Sequence, residues 1–321
     1  MSIFISVVLI ILGFVFLIKG ADFLVDGASG IAKRLNIPEI IIGLTIVSIG
    51  TTMPELIVSV SSAIRGSSDM AIGNVIGSNV CNMLLILGLV SVIKSIEFKK
   101  ETRTIDVPLL LIFTIIFTVI CNTGAWVTKS EGIILLSLFV LFIIYTVIMS
   151  RKALEYAKEE KEIFPQERTK RHPILKNIIN IIIGIIILKI GGDLTIDNAV
   201  TVAQKFNISE KIIGLTILAV GTSLPELVTG ITATLKGSSD IGIGNIIGAN
   251  IFNMLLITGI TSMINPIVYN TTYNIQIIIL ILAIFMLALF PVIPPKNEMS
   301  RGNGITYLIW YGIYMVILLN V

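Results

Sequence analysis

Apolar runs of about twenty residues or more, separated by short polar stretches, take up almost all of this 321-residue chain. They fall near 2–24, 39–64, 70–94, 105–123, 131–150, 174–196, 210–235, 241–265, 273–293 and 304–320, ten in all. A helix needs roughly 20 apolar residues to cross the hydrocarbon core of a bilayer. A barrel strand needs about 10, alternating in polarity, and these runs are far longer and do not alternate. The expected fold is therefore an all-α membrane protein of ten transmembrane helices. Charge supports this: 13% of residues are charged and 55% hydrophobic, where soluble domains carry about 25% charged residues. A soluble enzyme, a disordered chain and a nucleic-acid partner are excluded. The first run lacks a basic leading segment and is too long for a signal peptide, so it is expected to remain as a helix. Cys81 and Cys121 lie in apolar surroundings, which argues against a disulfide framework. His172 lies in the most charged segment, which argues against a histidine metal site or proton relay. No catalysis and no cofactor are expected.

Lysine and arginine set the orientation. With the N-terminus outside, 17 basic residues fall in inside loops, and only Arg65, Lys129, Lys205 and Lys211 fall outside. Both termini are thus expected outside. The charged stretch 151–173 is expected to be a solvated cytoplasmic connector, its 154–162 part an exposed charged helix.

Residues 42–91 align without a gap to 213–262 at a constant offset of 171, and 27 of the 50 positions are identical. The halves 1–150 and 174–321 hold five runs each. Because five is odd, the second half is expected to enter the membrane in the opposite sense, as in secondary transporters whose sites lie where inverted repeats meet. Polar residues dominate the repeated blocks, which packing alone does not require. Gly50-Thr51-Thr52-Met53-Pro54-Glu55 matches Gly221-Thr222-Ser223-Leu224-Pro225-Glu226, and Gly73 to Asn79 matches Gly244 to Asn250.

Glu55 and Glu226 fall near the middle of runs two and seven, where a carboxylate costs ~3 kcal/mol or more and marks a functional site by default. No basic residue of the same run lies near either depth, so a bound cation is the natural partner. Pro54 and Pro225 lack the amide hydrogen that would bond to the carbonyls of Gly50 and Gly221. Irregular backbone at membrane depth is tolerated where it lines a cavity. It would turn carbonyl oxygens and the hydroxyls of Thr51, Thr52, Thr222 and Ser223 toward a site. An all-oxygen set suits a hard cation such as Ca²⁺. Asn82 and Asn253 repeat in runs three and eight, with Ser78 one turn before Asn82 and Ala249 at the matching place. Gly73 and Gly77, like Gly244 and Gly248, are spaced for close helix approach that would press this face on the broken helix. Among the remaining acids, Asn36 with Glu39 and Asn207 with Glu210 have capping-box spacing. Asp69 and Asp240 are expected to cap runs three and eight. Asp22, Asp26, Asp193 and Asp197 would either line an ion path or face water.

The paired G-T-[ST]-x-P-E blocks, with G-S-N and G-A-N downstream, resemble the calcium/cation antiporter superfamily and, within it, the prokaryotic sodium/calcium exchangers, over nearly the whole chain. The resemblance implies Ca²⁺ extrusion driven by Na⁺ entry, with Glu55 and Glu226 as shared central ligands. Main-chain oxygens at Thr51 and Thr222 would complete the Ca²⁺ shell. Thr52, Ser223, Ser78 and the backbone near Ser48 and Ala219 would serve Na⁺, with Asn82 and Asn253 lining the pocket and helices one and six sliding to alternate access. Two departures stand out. Ala249 removes a hydroxyl that many members have, and Asn253 stands where potassium-dependent relatives carry aspartate. Ca²⁺/H⁺ exchange is the alternative, K⁺-dependent exchange is disfavoured, and a cation channel is the rival from another class. The implied partners are the bilayer and the two transported ions, with the chain working as a monomer.

Overall fold

The computed structural model describes residues 3–66, 68–163, 174–207, 219–293 and 297–320. The first half runs through α1 (Ile3–Leu35), α2 (Glu39–Thr51), α3 (Met53–Ile64), α4 (Met70–Ile93), α5 (Thr102–Cys121) and α6 (Lys129–Ile163). The second runs through α7 (Ile174–Lys205), α8 (Ala219–Thr222), α9 (Leu224–Leu235), α10 (Ser239–Ile264), α11 (Tyr273–Val292) and α12 (Arg301–Asn320). Seven of these helices are long and apolar enough to cross a membrane, eight if the bent pair α2–α3 is one span. The start of the expected run 210–235 lies partly outside the described residues. Three runs extend past their expected ends. Helix α1 reaches Leu35, α7 reaches Lys205, and α6 carries on into the charged connector as far as Ile163.

The repeat is visible in element boundaries. Shifted by 171, Met53–Ile64 becomes Leu224–Leu235, and a wide π turn at Cys81–Ile86 becomes one at Phe252–Ile257. Matching helices pack antiparallel. Along α1 and α7, Gly13 faces Gly191, Gly20 faces Gly184, and Gly27 faces Asn177. A β-carbon on Gly20 would lie 2.7 Å from the Leu188 amide nitrogen and 2.9 Å from the Gly184 carbonyl oxygen. Only glycine lets the backbones come this close. Helices α4 and α10 cross where the Asn79 amide donates to the Asn250 carbonyl (3.4 Å) and the Asn253 amide donates to Asn79 Oδ1 (2.9 Å). The start of α10 then lies by the end of α4, where Lys99 pairs with Asp240. The start of α4 lies by the strand that follows α10.

Four two-residue strands tie the halves together: β1 (Ile96–Glu97), β2 (Trp126–Val127), β3 (Ile267–Val268) and β4 (Glu298–Met299). β1 pairs antiparallel with β4, and β2 with β3, so each ladder joins one half to the other.

The capping expectations do not hold. Asn36 has φ 53° and Asn207 φ 55°. Both end the helix before them rather than start the next, because asparagine tolerates the left-handed conformation. The Ile37 amide closes back on the Ala32 carbonyl (3.0 Å), a helix-terminating bond. Glu39 instead accepts from Ser29 (2.6 Å) and Ser238 (3.3 Å). Glu210 and the Asp69 side chain lie outside the described residues. Asp240 makes no cap bond: Ser238 holds the N-cap position, and Asp240 sits in the first turn, paired with Lys99. Asp22 and Asp26 do not face water alone but bind Lys236. Asp193 binds Lys189 on its own helix (2.5 Å).

The glycine contacts between α1 and α7 are directly testable. Gly20→Val should destabilise the purified protein by about 1–3 kcal/mol through overpacking. Gly312→Ala, where a β-carbon meets nothing within 4 Å, should leave its thermal denaturation unchanged.

Candidate functional site

The site forms where α2–α3 and α8–α9 break. At Thr52 (φ −83°, ψ 5°) and Ser223 (φ −88°, ψ 6°) the backbone leaves the helical region, and α3 departs from α2 at 48°. Pro54 and Pro225 occupy the first turn of the new helices, where a missing amide hydrogen leaves no bond unmade. Gly50 and Gly221 are pressed against Ile185 and Ile196 of α7, which holds both breaks against the same long helix. Glu55 and Glu226 therefore stand at helix N-termini, which are ends favourable to negative charge, rather than in mid-helix.

Both carboxylates are wholly buried, at 0% exposure, and none of their four oxygens has a hydrogen-bond partner among the described residues. They lie within electrostatic reach of each other. Each faces a hydroxyl of the opposite half: Ser223 beside Glu55, and Thr51 beside Glu226. The Thr51 hydrogen is committed elsewhere, donated to Asn245 Oδ1 (2.9 Å). Further buried polar atoms without partners are Ser78 Oγ, Ser223 Oγ, both polar atoms of Asn82 and Oδ1 of Asn253. Helix α3 packs on the π turn that carries Asn253, and α9 on the turn that carries Asn82. Each acid thus meets the asparagine turn of the other half. A buried polar group without a partner costs free energy, and a buried charge costs far more. Two carboxylates with hydroxyl and amide oxygens make a donor set that a hard cation satisfies.

Some expected residues already have hydrogen-bond partners. The Ser48 hydroxyl donates to the Gly43 carbonyl (2.9 Å), and its own carbonyl accepts from the Thr52 amide (3.0 Å) and hydroxyl (2.6 Å). Ser48 and Thr52 therefore satisfy one another. Thr222 is buried and has a partner. Ala219 opens α8, and its side chain lies outside the described residues. Gly73 does not press on the acid helix but meets the Tyr273 hydroxyl, whereas Gly244 and Gly248 pack on α2 of the other half.

Sequence reasoning missed Asn74 and Asn245 as site residues. Asn74 donates to the Glu55 carbonyl (3.4 Å) and the Ser59 hydroxyl (3.1 Å), while Asn245 holds Thr51. Both lie in identical repeated blocks, which was the available signal. Cys81 also lies within electrostatic reach of both carboxylates, and its repeat position, Phe252, carries no such hint.

Residues 5–148 and 176–320 match the family described as sodium/calcium exchanger protein. The chain belongs to that family. Its relatives include the inner membrane protein YrbG of Escherichia coli, 33% identical over 316 residues and covering 96% of this chain and 94% of that one. The putative antiporter CaxA of Alkalimonas amylolytica is 38% identical over 262 residues, 82% of each chain. The sodium/calcium exchanger MaX1 of Methanosarcina acetivorans is 28% identical over 351 residues, 98% of each. Among solved structures, the sodium-calcium exchanger NCX_Mj soaked with 2.5 mM Na⁺ and 10 mM Sr²⁺ superposes with a TM-score of 0.83 at 29% identity, over 98% of this chain and 99% of that one. The chain is thus a multi-pass membrane antiporter of the sodium/calcium exchanger family, a family of transporters.

Buried carboxylates without a partner among the described residues cost stability. Glu55→Gln should raise the melting temperature measured without Ca²⁺. It should also remove the Ca²⁺-dependent increase that ligand binding gives the parent.

Proposed function

We propose that the chain exchanges Na⁺ for Ca²⁺ by alternating access, with both ions competing for the carboxylates of Glu55 and Glu226. The observation that carries this is the pair of wholly buried carboxylates without a hydrogen-bond partner among the described residues, each facing a hydroxyl and an asparagine turn of the opposite half. Main-chain oxygens at Thr51 and Thr222 would complete the Ca²⁺ shell. Ser78 and Ser223 would serve Na⁺ directly, and Asn82 and Asn253 would line the pocket. Thr52 and the Ser48 and Ala219 backbone would join them once the Thr52–Ser48 bonds open. The antiparallel packing of α1 with α7 and of α4 with α10 supports ten helices in two inverted repeats, broken at helices two and seven. The two repeats are 1–150 and 174–321, with 151–173 cytoplasmic, both termini outside and one chain sufficing.

Two negative charges are balanced by one Ca²⁺ or by Na⁺ ions, and the same ligands do not hold both loads. Without an ion, the uncompensated pair opposes the passage of the site across the membrane. Exchange of more than two Na⁺ per Ca²⁺ moves net charge, which couples transport to voltage at ~2.3 kcal/mol per charge per 100 mV. Ca²⁺/H⁺ exchange is the second reading, because a buried carboxylate also accepts protons.

Proteoliposome flux separates these readings. Ca²⁺ uptake should require Na⁺ on the trans side, and a pH gradient alone should not drive it. Uptake driven equally by a pH gradient favours proton coupling, and uptake without a counter-ion indicates a channel. Glu55→Ala and Glu226→Ala should each lower Na⁺-dependent uptake on the order of a hundredfold, equivalent to ~3 kcal/mol of lost ion binding.

A further inference from the structure

The two halves match in sequence but not in how their acid-bearing helices are covered. Helix α9 buries eight of its twelve residues, and α3 only Glu55, Ser59 and Ala63. The difference lies with α1, whose Leu17, Leu24 and Ala28 form one apolar cluster with Leu224 and Ala233 of α9. The repeat equivalents on α3 are Met53, which is 36% exposed, and Ser62, which is partly exposed.

An ion-pair cluster marks the closed side. Lys236, just past the end of α9, reaches Asp26 (2.7 Å) and Asp22 (3.1 Å) on α1, and also donates to the Asp22 carbonyl (3.2 Å). Burial opposes the Lys236 charge, but hydrogen bonds and attraction from Asp26 and Asp22 outweigh it and raise its pKa. Shifted by 171, these three residues become Arg65, just past the end of α3, and Asp193 and Asp197 on α7. Every charge recurs with its sign, yet the second cluster is not made. Among the described residues, Arg65 and Asp197 form no ion pair, and Asp193 is held by Lys189 of its own helix. The two clusters belong to opposite ends of the antiparallel α4–α10 pair. Lys236 stands at the start of α10, and Arg65 at the start of α4.

We propose that these are two latches made in turn: Lys236 with Asp22 and Asp26 closes one side, and Arg65 with Asp193 and Asp197 closes the other. This rests on the alternating-access reading above. When α1 and α7 slide as a glycine-lined pair, α1 withdraws from α9 and α7 covers α3. One cluster then parts as the other forms. The latches sit about ten residues from Glu55 and Glu226, ~15 Å along a helix. They set which side is closed without touching the ion.

Cysteine reporters at repeat-equivalent positions test this. Ser62→Cys and Ala233→Cys would be placed in separate proteins, reconstituted in liposomes and labelled with a membrane-impermeant maleimide from either side. The parent without a reporter supplies the blank, since Cys81 and Cys121 are buried. Lys236→Glu should speed labelling of the Ala233→Cys reporter and slow that of the Ser62→Cys reporter. Arg65→Glu should shift both in the reverse direction, each by roughly two- to fivefold, as expected of solvent-accessible ion pairs. The swapped pair Lys236→Asp with Asp26→Lys should restore the parent pattern, and it stands in if a single reversal fails to fold. Rates that do not move, that move the same way in both variants, or that the swap does not restore overturn the latches. Labelling does not depend on which ion is coupled. A wrong choice between Na⁺ and H⁺ would show only in the flux measurement.

Discussion

Two carboxylates buried at 0% exposure, with no hydrogen-bond partner among the described residues, are the constraint from which the rest of this fold follows. Charge at membrane depth is expensive, and the surrounding structure limits the expense without removing it. The helix breaks at Thr52 and Ser223 put each acid at a helix N-terminus, where peptide dipoles favour it. Proline restarts the helix at that point, where its missing hydrogen is harmless. Hydroxyls and asparagine turns of the opposite half surround the acids with neutral oxygen and amide groups. None of these groups carries a positive charge.

The polar network separates residues that position from residues left free to bind. Asn74 and Asn245 spend hydrogen bonds on the Glu55 carbonyl and on Thr51, and Ser48 with Thr52 closes on itself. Asn82, Ser78 and Ser223 keep unpartnered polar atoms in the interior. Close packing of Gly244 and Gly248 on α2 lets one half brace the broken helix of the other. Residues one and the same repeat supplies in duplicate have thus diverged in task.

The all-helical membrane class and the placement of the long apolar helices were legible because a bilayer forces long apolar runs, and the acids were legible because charge within such runs is rare. The ungapped offset of 171 also foretold element ends to the residue. Helix termini were misread at Asn36 and Asn207, since capping-box spacing does not distinguish a residue that starts one helix from one that ends another. Backbone φ decides that, and it is set by tertiary packing. The π turns at Cys81–Ile86 and Phe252–Ile257 left no trace in sequence periodicity, because one extra residue per turn is lost within an all-apolar run. Coverage of α9 but not α3 was beyond any pattern in the chain.

The crossed strand pairs carry a consequence for each half taken alone. Among the described residues β1 pairs with β4 and β2 with β3, so each half takes its strand partners from the other. A lone half would need a second copy of itself, turned end over end, to complete both ladders and supply the other carboxylate. Within one polypeptide the two halves therefore complete each other as two such copies would, while differing at single positions such as Ser78 and Ala249, or Cys81 and Phe252.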